Sequence, residues 1–305
     1  MAKKRWNFKS KFSIPVIQSA SKLEEQLILT LNDEDALARI KKMSNLFSNR
    51  FESINIAKTE FKGTNTNPFV ASALARIFDQ TNVHDMSTLY IAGKAVSSIE
   101  TAAGKIVEAV VPMVYGWKTI ESPTNSPLSE IDCMIRRGDE VILAALKSGP
   151  ACINDSMSGK IASAICNHNN FWFNHFKCTK IRFIVGMNYS SPRNSNKKDW
   201  HILRLAEKDP DFGFESKGCS IHSSCIQDDN IAVNNLKVET NNNTLVIQTS
   251  HGESFWDLVS GPSCRFATTE ICLALANAST GTWELEKLRP WYELFYRHFV
   301  DDIVD

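Results

Sequence analysis

Residues Leu128–Asn154, LSEIDCMIRRGDEVILAALKSGPACIN, constrain what this chain can fold into more than any other stretch. Ser129–Arg136 alternates apolar and polar side chains, the period of a strand with one buried face. Arg137-Gly138-Asp139 is a turn. Glu140–Leu146 is almost uniformly apolar, as a strand covered on both faces requires. Two such strands across so short a turn pair antiparallel, so the segment reads as a β-hairpin. That pairing sets Asp132, on the first strand, beside Lys147 at the end of the second. Ser148-Gly149-Pro150 breaks the strand directly after the lysine. A lysine that closes a buried strand is rarely placed there without a purpose, because its ammonium resists burial. A carboxylate and a lysine on rigid strand ends can hold a divalent cation next to a group that positions or deprotonates water. That is the equipment of phosphodiester hydrolysis. The same pair also fits an ordinary surface ion pair.

The segments before the hairpin read as helical. Ser21-Lys22-Leu23-Glu24 is a capping-box pattern opening a helix to about Leu31. Asp33 or Asp35 caps a second helix with Leu37, Ile40, Met43 and Leu46 or Phe47 on one face. Lys3–Lys11 is a basic stretch interleaved with Trp6 and Phe8, which suits a solvated tail or a phosphate-touching arm. Gly63–Pro68 is a loop, Phe69 to about Phe78 a short helix, and after Asn82–Asp85 an Ala-rich helical segment runs from about Met86 to Val114. It carries Glu100 and Glu108 just ahead of the hairpin, and Glu108 stands in its most apolar part.

Beyond the hairpin, Asp155–Asn167 is an amphipathic helix capped by Asn154 or Asp155. Ile181–Tyr189 is the clearest central strand, and Trp200–Arg204 reads as another. Between them Ser190–Asp199 is polar, basic and turn-rich, a solvated loop or a DNA probe. Arg193 has the fork that reads guanine, Asn194 and Asn196 suit adenine, and Lys197 and Lys198 suit phosphates. Ile231–Glu239 and Leu245–Thr249 are strands about an Asn241–Asn243 turn, and helices begin at Glu253, Ala267 and near Trp283. Cys219-x-x-His222-x-x-Cys225 offers three ligands at a spacing that is not a strong zinc pattern.

Several blocks in this order resemble a known family. They are NPF at Asn67–Phe69, GKIVEAVVPMVYGWK at Gly104–Lys118, the EID…LKSG hairpin, FIVGMNYSSPRN…WHILR at Phe183–Arg204 and ESFWDLVSG at Glu253–Gly261. Together they resemble type II restriction endonucleases of the PD-(D/E)XK superfamily, in particular the group that cuts RGGNCCY. The resemblance implies an α/β (α+β) fold: a restriction-endonuclease-like central mixed sheet flanked by helices, with a helical N-terminal layer for dimerisation. It divides the chain at residues 1–66 and 67–305. It implies a Mg2+-dependent, site-specific hydrolase of double-stranded DNA that leaves 5′-phosphates and works as a homodimer. Asp132 would bind the metal with Glu108 and the Leu146 carbonyl, and Lys147 would activate water. The superfamily pattern asks for an acid two residues before the lysine, where this chain has Ala145. Hard cations accept carbonyl oxygen and water, so Leu146, or a carboxylate from elsewhere such as Glu108 or Asp155, can complete the shell. The other reading is a DNA-binding relative without activity; a third is a non-specific metal-dependent nuclease.

Composition fits this frame. With 305 residues, 43% of them hydrophobic, the chain can bury a sizeable core. The formal net charge is zero, which disfavours DNA coating by bulk charge but leaves room for a local basic cleft. Eight scattered cysteines suit a reducing, cytoplasmic compartment. No apolar run approaches the ~18 residues of a membrane span, so no membrane is expected.

Overall fold

The computed structural model describes residues 20–52, 105–123, 125–149, 152–189, 197–228, 231–240, 242–262, 264–296 and 299. The basic stretch before residue 20 lies outside the described residues, as do the NPF block and the expected boundary near residue 66. Two helices open the described chain, α1 (Ala20–Leu31) and α2 (Glu34–Glu52). Asp33 caps α2, its Oδ1 accepting the Ala36 N–H at 3.0 Å. A third helix, α3, covers 105–115 and belongs to the expected Ala-rich segment.

Seven strands follow: β1 (Lys118–Thr119), β2 (Cys133–Arg137), β3 (Glu140–Lys147), β4 (Lys180–Met187), β5 (Ser220–Asp228), β6 (Ile231–Thr240) and β7 (Asn243–His251). They form one mixed sheet in the order β1-β2-β3-β4-β7-β6-β5. The expected hairpin is β2–β3, paired antiparallel from Cys133↔Ala144 to Arg137↔Glu140. Gly138 takes a left-handed φ of +62° in its two-residue turn, a conformation glycine adopts without steric cost. The centre of the sheet is parallel: β3 pairs with β4, and β4 with β7. Parallel neighbours need a long return, and α4 (Asp155–Phe176) provides it between β3 and β4. Asn154 is the cap of α4, its side chain accepting the Met157 N–H at 2.9 Å.

Each face of the sheet carries its own apolar core. On one face α4 and α5 (Lys198–Lys208) cover Val141, Leu143 and Ala145 of β3 and Phe183 and Val185 of β4. There Trp172 of α4 stacks on Phe183 with ring centroids 5.4 Å apart. On the other face lie α1, α2, α3, α6 (Gly252–Ser260), α7 (Ala267–Thr280) and α8 (Leu285–Tyr296). Two-sided cover explains why β3 is nearly all apolar. Phe255 of α6 lies so close over Gly186 of β4 that a Cβ there would sit 2.3 Å from its ring.

One departure from the sequence reading stands out. Residues 200–204 are helical rather than extended, because the buried positions of α5 are Asp199, Ile202 and Ala206, at helical rather than alternating spacing. The N-terminal helix α2 packs on α7, where Arg39 grips buried Glu270 through two hydrogen bonds of 2.7 and 2.8 Å. Among the described residues no helix is long and apolar enough to cross a membrane.

Candidate active site

Open sheets with parallel strands place their sites at the carboxyl ends of those strands. Here three parallel strands end in register, Lys147 of β3 beside Met187 of β4 and Met187 beside His251 of β7. Lys147 therefore stands where the topology leaves room for chemistry.

Asp132 reaches the same edge from the other side of β3. Its N–H donates to the Ala144 carbonyl at 2.9 Å, extending the hairpin by one rung. β2 begins at Cys133, so no strand backbone continues alongside Leu146. The Asp132 carboxylate fills that position, Oδ2 accepting the Leu146 N–H at 2.6 Å. In an extended strand the N–H and C=O of one residue point to the same side. Lys147 turns its carbonyl toward β4, accepting the Asn188 N–H at 3.0 Å, so that of Leu146 faces Asp132. The carboxylate and the Leu146 carbonyl, two of the expected metal ligands, thus lie side by side.

Glu108, on α3, joins them. Its residue is exposed at the surface, yet its carboxyl is held above the usual glutamate range. Desolvation is the largest cause and the negative charge of Asp132 the next, while Lys147 and then Lys105 pull the other way. Three elements distant in sequence thus bring Glu108, Asp132 and Lys147 into one electrostatic neighbourhood. Among the described residues Lys147 forms no ion pair.

This coupling has a direct test. Asp132→Asn removes a like charge and is expected to lower the Glu108 pKa, whereas Lys147→Ala removes a compensating charge and is expected to raise it. Carboxyl-carbon NMR titration of Glu108 in the two variants reads both signs. Equal midpoints in wild type and both variants would show that the three groups do not share a site.

The remaining candidates are placed as follows. Asp155 is the exposed first residue of α4 and is ion-paired with Lys198, which pulls its carboxyl below the ordinary range. The pair links the first turns of α4 and α5. Lys197 lies over the ring of Trp200, 5.1 Å from its centroid, with Trp200 46% exposed. Arg193, Asn194 and Asn196 lie outside the described residues. Ala145 is 1% exposed in the core beneath α4 and α5. Among the described residues no group of three or more His, Cys, Asp and Glu side chains could hold a metal ion. The donor set at the edge is two carboxylates and a main-chain carbonyl, all oxygen, as a hard cation prefers.

Two features escaped the sequence reading. His251 at the end of β7 and Asp199 in the first turn of α5 form a buried pair, Nε2 to Oδ2 at 2.9 Å. It pins the start of α5 to the carboxyl edge. The signal available was a lone Asp in a basic loop and a His 52 residues away, which nothing local connects. Tyr189 is the second: its ring lies against Gly149, where a Cβ would meet the hydroxyl oxygen at 2.6 Å. An exposed aromatic thus covers Gly149, itself two residues beyond Lys147.

The chain matches no protein-family model, and no curated protein matches it.

Proposed function

We propose that the chain is a Mg2+-dependent endonuclease of double-stranded DNA, with a restriction-endonuclease-like core and a homodimeric working state. One observation carries this reading: Asp132, the Leu146 carbonyl, Glu108 and Lys147 converge on the carboxyl edge of the parallel strands. The like-charged pair Asp132 and Glu108 favours a cation between or beside the carboxylates. Asp132 is immobilised by the Leu146 N–H, so its position is set before any ligand arrives.

In this scheme Asp132, Glu108 and the Leu146 carbonyl hold the metal. Magnesium, when bound, supplies positive charge for the developing phosphorane and the leaving 3′-oxygen. Lys147 orients the attacking water toward phosphorus. The P–O3′ bond breaks, leaving a 5′-phosphate and a 3′-hydroxyl. β4 ends beside Lys147, which suits a role for Arg193, Asn194, Asn196, Lys197 and Lys198, on the connection to α5, in reading or holding DNA.

Ala145 favours a second reading, a binding-only relative. Digestion of phage DNA with magnesium, followed by run-off sequencing of the ends, separates the two. Discrete ends at one recurring sequence, lost with a chelator, are the expected result. Intact DNA that is nonetheless bound specifically would replace the endonuclease with the binding-only relative. Ends without sequence preference would replace it with a non-specific nuclease.

A further inference from the structure

We infer that the groove between residues 122–130 and α4 seats the DNA sugar–phosphate backbone that flanks the cleavage centre; the choice of DNA rests on the nuclease reading above. The groove holds about 620 Å³. Asn125, Ser126 and Ser129 line it from the loop, and Lys160, Ser163 and His168 from α4. These α4 residues belong to one helix stripe, because Ser163, Ala164 and His168 lie three, four and eight residues after Lys160. Glu130 also lines the groove and is two residues from Asp132, so the two Cα atoms are no more than about 7 Å apart. The groove thus comes within two residues of Asp132 along the chain, and the Glu130 carboxylate at that end stands against the charge of Lys160.

Its hydroxyls are set up as donors. Ser126 Oγ accepts the Leu128 N–H at 3.2 Å, and Ser163 Oγ accepts from Asn167 Nδ2 at 3.1 Å. With an acceptor site of each oxygen engaged, the O–H is left to donate, and among the described residues neither hydroxyl donates to the protein. The complementary ligand is rich in acceptors and poor in donors, which describes phosphodiester oxygens. Lys160 adds positive charge to the same wall. Contacts of this type fix register on a duplex without reading its sequence. The loop is held in place for the task, Trp172 Nε1 donating to the Pro127 carbonyl at 2.6 Å. Gly159 lines the groove too, and a Cβ there would meet nothing within 4 Å.

That empty space makes the test clean. Full-length protein carrying Lys147→Ala, to prevent cutting, is titrated with a fluorescent 20-base-pair DNA duplex in EDTA. Adding Gly159→Leu fills the groove and is expected to weaken binding at least tenfold, while Gly159→Ala binds within about twofold. Adding Lys160→Ala is expected to flatten the slope of log K against log salt by about one. Thermal unfolding monitors each fold, and Lys160→Ala, an exposed change, decides the matter if Gly159→Leu fails to fold. Binding by the Lys147→Ala protein that neither groove change alters would overturn the groove assignment and leave the nuclease reading standing. Absence of duplex binding by every variant and by the unsubstituted chain in EDTA would overturn both. Tighter binding of an RNA duplex of the same sequence would overturn the assignment to DNA.

Discussion

Replacing Lys147 with alanine is expected to slow DNA cleavage by at least ~10²-fold, within the 10²–10⁴ that proton-transfer and positioning groups contribute. Specific binding should stay within a few fold. The lysine ends β3 without an ion pair among the described residues, so its loss removes no structural contact of consequence. Single-turnover cleavage with excess enzyme, alongside equilibrium binding in EDTA, reads the two effects separately. Cleavage above a hundredth of the parent rate would take the water-activating role away from Lys147. Loss of binding and cleavage together would instead assign it to holding the DNA.

Ala145→Glu is expected to cost about 3–5 kcal/mol of stability and to restore nothing. Ala145 is 1% exposed within an apolar cluster that includes Ile131, Ile153 and Val185. Overpacking such a position costs about 1–3 kcal/mol, and an apolar setting raises a carboxyl pKa by up to several units at 1.36 kcal/mol each. Lys147, two residues along the same face, offsets part of this. The sign with pH follows. The new carboxyl titrates higher when folded than unfolded, so the unfolded state holds fewer protons and the deficit grows as pH rises above about 4.3. Below that value the electrostatic part is relieved and the steric part remains. Urea unfolding at pH 4 and pH 7 measures both. A variant as stable as the parent that cuts orders of magnitude faster would mean that position 145 had lost a native acid. Equal cleavage by both forms would mean that Glu108 and the Leu146 carbonyl suffice.

The hairpin was legible because its signals are local and agree with one another: alternation in β2, an unbroken apolar run in β3 and a glycine turn between them. Glu108 was legible as a charge in an apolar helix, although its approach to Asp132 needed the fold. Residues 200–204 were misread because WHILR is too short to separate a period of two from one of 3.6. The wider window from Asp199 to Ala206 resolves it, but only once Asp199 is known to be buried by His251. β5, SIHSSCIQD, gave no strand signal because it is a polar edge strand. The Asp132–Leu146 hydrogen bond depends on where β2 stops pairing, which no residue type announces. In each case the missing information is a contact between segments far apart in sequence.

The grip of Arg39 on Glu270 spans 231 residues, and its consequence is one of timing. On a ribosome α2 emerges well before its docking partner α7. The face carrying Ile40, Met43 and Phe47 must wait until the long stretch between the two helices has been made. The hairpin and the β3–α4–β4 unit can pair as they emerge, whereas α2 can close over the opposite face only once α7 has emerged. Chains cut short before residue 267 would leave that apolar face uncovered, and their expected fate is aggregation or proteolysis rather than a smaller stable fold.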